Sequence, residues 1–386
     1  MASLRVLLLG IYAVILLMAG VYGYVATVNS NSANQAASAC AIYPRPFSGH
    51  LPNCLPSLTI SETGSALMYP MFNLWVKNFT QLYPNVDINT ENTGSGVGQA
   101  FVEKQTVQIG GSTAYFTDLQ ASQWPDILNI PLAVSAAIIN YNLPGFPQDV
   151  HLNFSARLLV EIYNGTISSW NDPAIKALNP GAVNLLPSHD IYPMHRSDGS
   201  GDTYMFTNYL SYNDSWWRLN VGAGLQVAWP NFLNAQSAIG NPGIVIQCGN
   251  FPYSISYVAL EALDLSIKKG LGFGYVQNRD GNFVNLSRDN VKTALDALSA
   301  NTPPDERMSL IMAPGKNAYP IVTYTYAFVW NAQSSPNVAA VVRAFLTYCI
   351  LKHYGNSPYF LDQYHFLPLP DPIEQLSLQQ IAQIGP

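Results

Sequence analysis

Charged side chains are scarce in this chain: Asp, Glu, Lys and Arg make up only 10% of its 386 residues, against about a quarter in ordinary soluble domains. The 17 basic residues form no run interleaved with aromatics, so a nucleic-acid surface is excluded. With a net charge of −6 there is no broad positive field to gather anions, and selectivity for an anion must come from local donors. Cysteine is nearly as rare. Cys40, Cys54, Cys248 and Cys349 include no CxxC pair, and the six histidines lack metal-ligand spacing. Neither a redox dithiol nor a metal site is expected, and no cofactor is read. There is no internal repeat.

One long apolar run is present. Val6 to Val28 is uncharged and almost wholly apolar, with Arg5 just before it. It exceeds both the roughly 18 residues that suggest a membrane span and the about 7–15 of a signal-peptide core. The preferred reading is an N-terminal apolar helix that anchors the chain, with the lone arginine placing everything downstream outside the membrane. A cleaved signal peptide stays open, as does a lipoprotein signal at Ala37-Ser38-Ala39-Cys40. Asn-x-Ser/Thr acceptors at Asn78, Asn153, Asn164, Asn213 and Asn285 fit an exported chain, though chance also yields them in so Asn-rich a sequence. Outside the cell Cys40 and Cys54 would close a short loop, while Cys248 and Cys349 are either a second bridge or buried thiols.

After a polar tether, residues 29–56, short β-rich runs alternate with helical ones, the pattern of an α/β protein. Leu58 to Ser61, Val86 to Asn89 and Val107 to Gly110 read as strands. Each delivers Gly, Ser or Thr to what would be one carboxyl edge of a sheet, where open α/β sheets bind ligands. Ile127 to Asn142 reads in part as a crossover into a second domain, and Tyr319 to Tyr324 as a strand that returns. The division expected is 57–132 with 320–386 as domain I and 133–319 as domain II. Gly270-Leu271-Gly272-Phe273-Gly274 reads as a glycine-rich strand, since no helix follows it as a nucleotide loop requires.

Three stretches share one design: Ser65-Ala66-Leu67, Gly94-Ser95-Gly96 and Ser200-Gly201-Asp202. Each places small or hydroxyl residues at an expected helix start, where backbone N–H groups are unpaired and the helix dipole is positive. Any one alone is a plain cap. Together, with Arg196 beside the third, they suit a small anion with several acceptor oxygens. His195 reads as structural: no Ser–His–Asp order or ligand set supports a catalytic role, and no catalytic residue is expected.

The runs Glu62-Thr63-Gly64-Ser65-Ala66-Leu67-Met68-Tyr69-Pro70, Thr93-Gly94-Ser95-Gly96, Gly110-Gly111-Ser112-Thr113-Ala114-Tyr115 and Gly165-Thr166-Ile167-Ser168-Ser169-Trp170-Asn171-Asp172-Pro173 precede the most specific one, Arg196-Ser197-Asp198-Gly199-Ser200-Gly201-Asp202-Thr203. The sequence from about Leu58 to Pro370 thereby resembles the phosphate-binding proteins of ATP-driven phosphate importers, a branch of the periplasmic-type solute-binding proteins. It resembles in particular the actinobacterial lipoprotein members, through Asn140-Tyr141-Asn142-Leu143-Pro144-Gly145 and Phe360-Leu361-Asp362-Gln363. The resemblance implies a two-domain α/β fold with two hinge crossovers and inorganic phosphate held in the cleft. Its implied partners are the permease and ATPase subunits of an importer, with the chain acting as a monomer at the outer face of the membrane. It places ligand contacts on Ser65, Ala66 and Leu67, chiefly through their amides, and on Ser95, Thr113, Arg196, Ser200, Gly201 and Asp202, with Asp198 orienting Arg196.

Two positions depart from the family. An aspartate is usual where this chain has Thr113, and many members have threonine at Asp202, although the actinobacterial branch has aspartate there. Asp202 is therefore expected to accept the ligand's proton and so separate hydrogen phosphate from sulfate. The missing carboxylate at Thr113 would also suit dihydrogen phosphate in an acidic habitat. The alternatives are another tetrahedral oxyanion, sulfate or arsenate, or a secreted phosphatase; the latter needs a nucleophile with a base or a two-metal cluster.

Overall fold

The computed structural model describes residues 50–386; the expected apolar anchor, Cys40 and most of the tether lie outside the described residues. Among the described residues no helix is long and apolar enough to cross a membrane. In chain order the strands are β1 (Leu58–Gly64), β2 (Val86–Asn92), β3 (Ile109–Ser112), β4 (Ile127–Tyr141), β5 (Asn153–Phe154), β6 (Tyr192–Arg196), β7 (Gln236–Ala238), β8 (Ser254–Ala259), β9 (Gly272–Phe273), β10 (Tyr275–Gln277), β11 (Phe283–Val284) and β12 (Val322–Trp330). One sheet runs β2-β1-β3-β12-β4-β8-β6-β7 with β9 beside β4, and β11-β10-β5 form a smaller one.

β4 organises both halves. Its first part, through Ala136, pairs antiparallel with β12, and Ala137 to Tyr141 pair antiparallel with β8. Every one of its 15 residues is buried and none is charged, so the strand tolerates cover on both faces along its whole length. The change of partner falls at Ala136/Ala137, whereas the division expected from sequence lies between residues 132 and 133; Ala133 to Ala136 still pair with β12. The return crossing lies beside it: Ala137 donates its amide to Ile321 at 3.0 Å, and the Tyr319 hydroxyl donates to the Ala137 carbonyl at 2.8 Å. A bulge marks the strand pair where Thr325 faces Ala133 and Tyr326 faces Pro131. Proline has no N–H for a ladder, and the Thr325 hydroxyl accepts the Ala133 amide at 3.1 Å instead.

On one side β1 lies parallel to β2 and β3; on the other β6 lies parallel to β7 and β8. The chain rejoins the first side earlier than the expected boundary at residue 320. Glu306 is buried there, accepting from Ser377 Oγ at 2.8 Å and Gln380 Nε2 at 2.6 Å on the helix Asp371–Ile381. Arg307 donates to the Phe116 carbonyl at 3.2 Å and to Asp118 at 2.9 Å.

The first expected helix start is displaced. Residues 65–68 make a turn, and the helix Tyr69–Leu82 follows, with Pro70 in its first turn. Proline's fixed φ is preorganised for that position, and Met71, Phe72, Trp75 and Phe79 form the buried stripe behind it. The segment 270–274 contributes β9 and leads into β10, a strand as read. Cys248 and Cys349 are buried free thiols, not a second bridge, and Cys54 is disulfide-bonded.

Candidate anion-binding site

The first wall is built where β1, β2 and β3 end. The Gly64 carbonyl accepts the amides of Thr93 at 3.1 Å and Gly94 at 2.7 Å, which ties the turn after β1 to the start of the helix Ser95–Glu103. That helix lies directly on the strands because Gly98 has no side chain; a methyl there would come within 2.7 Å of the Gly111 carbonyl. The amides of Ala66, Leu67 and Ser95 have no acceptor among the described residues. Ser65 departs from expectation: its amide donates to Gly111 at 2.9 Å, so its hydroxyl is the donor left for a ligand. Ser95 Oγ accepts the Thr113 amide at 3.4 Å. The Thr113 hydroxyl is buried and has no hydrogen-bond partner.

The second wall follows β6. Ser200 caps the helix Gly201–Asn213, its hydroxyl accepting the Asp202 amide at 3.1 Å, while the Gly201 amide has no acceptor among the described residues. Arg196 is only 3% exposed. Its Nε donates to Asp198 Oδ1 at 2.7 Å and its Nη2 to Asp198 Oδ2; Nη1 donates to Asn241 Oδ1 at 2.6 Å and lies 3.4 Å from Asp202 Oδ2. A guanidinium has five N–H donors, so these contacts leave one on Nη2 for a guest. Beneath, the Tyr257 hydroxyl accepts the Arg196 amide at 3.1 Å and bonds Thr203 Oγ1 at 2.7 Å. Phe206 stacks on Tyr257 with ring centres 4.4 Å apart. His195 stacks on Trp229 with ring centres 4.6 Å apart, and burial lowers its pKa.

The two walls touch. Gly96 donates its amide to the Gly199 carbonyl at 3.1 Å, and Tyr115 packs edge-to-face on Tyr204 with ring centres 5.9 Å apart. A methyl on Gly201 would stand 1.6 Å from Thr113 Oγ1 and 3.0 Å from Ser95 Oγ. Ser95, Thr113 and Gly201 thus share one point, while Arg196, Asp198 and Asp202 form one network. Ser65, Ala66 and Leu67 join the first group through Gly64.

Electrostatics sort the acids by role. Burial alone would raise the Asp198 carboxyl, but its two bonds from Arg196 hold it below the usual range. Burial likewise opposes the Arg196 charge, and Asp198 and Asp202 overcome it. Asp202 is pushed up by burial, against Arg196. Its carboxylate is buried and accepts from Arg196 Nη1 at 3.4 Å rather than standing uncommitted at the anion-facing surface. Sequence reading missed Asn241 and Glu261. Asn241 Nδ2 donates to Glu261 Oε1, and burial, then the charge of Asp202, push Glu261 up to about 8. Gly240-Asn241-Pro242 does announce a helix start; nothing around Glu261 signals a site. The whole is a set of preorganised donors around one clamped cation, suited to replacing the water of a desolvated oxyanion.

Known proteins resemble this chain over most of its length. A family model described as PBP superfamily domain matches residues 32–352. The phosphate-binding protein PstS of Methanocaldococcus jannaschii is 31% identical over 85% of this chain and 87% of its own. A crystal structure of a phosphate-binding protein from Stenotrophomonas maltophilia superposes with a TM-score of 0.63 at 17% identity, covering 83% of this chain and 93% of that one. A putative phosphate ABC transporter substrate-binding protein from Clostridium perfringens, solved with bound phosphate, gives a TM-score of 0.58 at 15% identity, over 81% of this chain and 100% of that one. Family match and near-full-length relative together show that this chain belongs to the PstS family of the PBP superfamily.

Proposed function

We propose that this chain captures inorganic phosphate between its two walls and delivers it to an ATP-driven importer, with no chemistry of its own. The observation that carries this is the convergence, across one closed cleft, of unpaired amides and hydroxyls on both sides of a buried, clamped Arg196. The amides of Ala66, Leu67, Ser95 and Gly201 and the hydroxyls of Ser65, Ser95, Thr113 and Ser200 would grip the oxygens, with the remaining Arg196 N–H. Asp198 orients the guanidinium. The engagement of Asp202 supports a role in holding Arg196 over direct reading of the ligand's proton. Closure rotates one lobe, 57–132 with about 305–386, against the other about the β4–β12 pair. Relatives named as phosphate-binding proteins support the ligand, and the importer-linked name of one solved structure supports the partner. The N-terminal segment would hold a monomer at the outer face of the membrane beside its permease and ATPase.

Calorimetric titration with phosphate, sulfate and arsenate tests this. Phosphate is expected to saturate one site per chain. Absence of phosphate heat, or tighter binding of sulfate, overturns the reading. Arg196→Lys is expected to weaken phosphate by about 100-fold, because an ammonium cannot span Asp198 and Asn241 together and leaves buried carboxylate unpaired, roughly 3 kcal/mol.

A further inference from the structure

Behind Arg196, away from the anion-facing donors, Glu261 sits in the Leu260–Ala262 turn that follows β8. Asn241, fully buried, stands between them: its Oδ1 accepts from Arg196 Nη1 at 2.6 Å, and its Nδ2 donates to Glu261 Oε1. Asp202 Oδ2 accepts from the same Arg196 Nη1, at 3.4 Å. One amide therefore links the cation to the Glu261 carboxyl. The second oxygen of Glu261 is buried with no hydrogen-bond partner, where a carboxylate would stand uncompensated and a neutral O–H costs far less.

The charge count points the same way. Arg196 is one cation among Asp198, Asp202 and Glu261, so full ionisation leaves a local excess of negative charge before any anion arrives. Asp198 is kept ionised by its two bonds from Arg196. Other ionisable groups near the turn do not compensate. Asp264 and Lys268 on the next helix are exposed, Asp264 pairing with His365. In the 362–364 turn packed beside it, Asp362 is exposed and paired with Arg288. The helix Gly240–Asn250 carries only the buried thiol Cys248, and the Tyr257 hydroxyl is engaged with Arg196 and Thr203.

We propose that Glu261 is a positioning residue that couples anion capture to proton uptake: an anion beside Arg196 tightens the hold of Glu261 on a proton, and the protonated acid keeps Asn241 and the guanidinium aligned. The proposal rests on the phosphate reading above. Its direction agrees with the rise that burial and Asp202 impose on this carboxyl.

The test titrates phosphate into wild type and Glu261→Gln at about pH 8 in two buffers of different ionisation heat, which reads protons taken up per phosphate. Phosphate's own ionisation is common to both proteins. Wild type is expected to take up more protons than Glu261→Gln. Its affinity should match the variant at about pH 5 and fall about tenfold below it at about pH 9. Asn241→Ala, which keeps the acid but removes the link, should lose the extra uptake too. Equal proton counts and parallel pH profiles overturn the proposal alone, and zero uptake by wild type does so without any variant. No phosphate binding at any pH overturns the phosphate reading and this proposal with it.

Discussion

Replacing Gly201 with alanine is expected to abolish phosphate capture while leaving the protein folded. The backbone at Gly201 is one that any residue adopts, and the atoms nearest an added methyl all lie across the cleft. They are Thr113 Oγ1 at 1.6 Å, Thr113 Cβ at 2.7 Å and Ser95 Oγ at 3.0 Å. Rotating the Thr113 hydroxyl away cannot clear its Cβ, so the lobes must stay apart. A site whose donors come from both walls then presents half a shell. Loss of at least about 4 kcal/mol, or roughly 1,000-fold in affinity, follows if the second wall no longer reaches the anion. Thermal melting without phosphate should shift little, since the methyl meets nothing in its own lobe once the cleft opens. Gly181→Ala, where a methyl meets no atom within 4 Å, is the control. Wild-type affinity in Gly201→Ala would show that closure is not needed for binding.

The second large effect concerns pH. Buried carboxyls here are mostly pushed up: Glu306 to about 8 by burial, Glu261 to a similar value, Glu62 well above its usual range by burial and then by Glu91, and Asp202 upward. An acid whose folded pKa lies above its unfolded value binds more protons when folded. Its stabilising contribution is complete below the unfolded pKa and is lost as pH rises through the folded one. For Glu306 and Glu261 that window runs from about 4.5 to about 8. Each group acting fully changes stability by about 1.4 kcal/mol per pH unit. Denaturation followed by urea should therefore show higher stability at about pH 5 than at about pH 8, by several kcal/mol. Asp198, held low, resists only at the acid extreme. Glu306→Gln should flatten the slope and make the variant the more stable protein above about pH 8. A stability that rises from pH 5 to 8 contradicts this sign.

Much of this was legible in residues close together in sequence. Arg196, Asp198 and the Ser200 cap lie within one short run, so motif and geometry coincide, and Gly94-Ser95-Gly96 starts a helix as its composition implies. The turn at 65–68 was not anticipated, although Pro70 is the signal that moves the helix start to Tyr69. The partner of Ser65's amide, the Gly111 carbonyl, is set by the pairing of β1 with β3 and not by any local pattern. Glu261 and Asn241 are the deeper omission. They reach Arg196 only because β8 and the helix Gly240–Asn250 pack beside β6, a juxtaposition that single-chain spacing does not encode. Glu306 is similar: its partners Ser377 and Gln380 lie far along the chain.

The placement of β12 between β3 and β4 has a consequence for how the molecule is made. The half containing the chain's earliest strands has a gap in its sheet until residues 322–330 have emerged from the ribosome. The other half, from β6 through β9, already has its own strands in hand by then. Assembly is thus inverted relative to synthesis, with the first-made lobe finished last, and truncation anywhere before Trp330 should leave β3 and β4 as open edges that seek another strand.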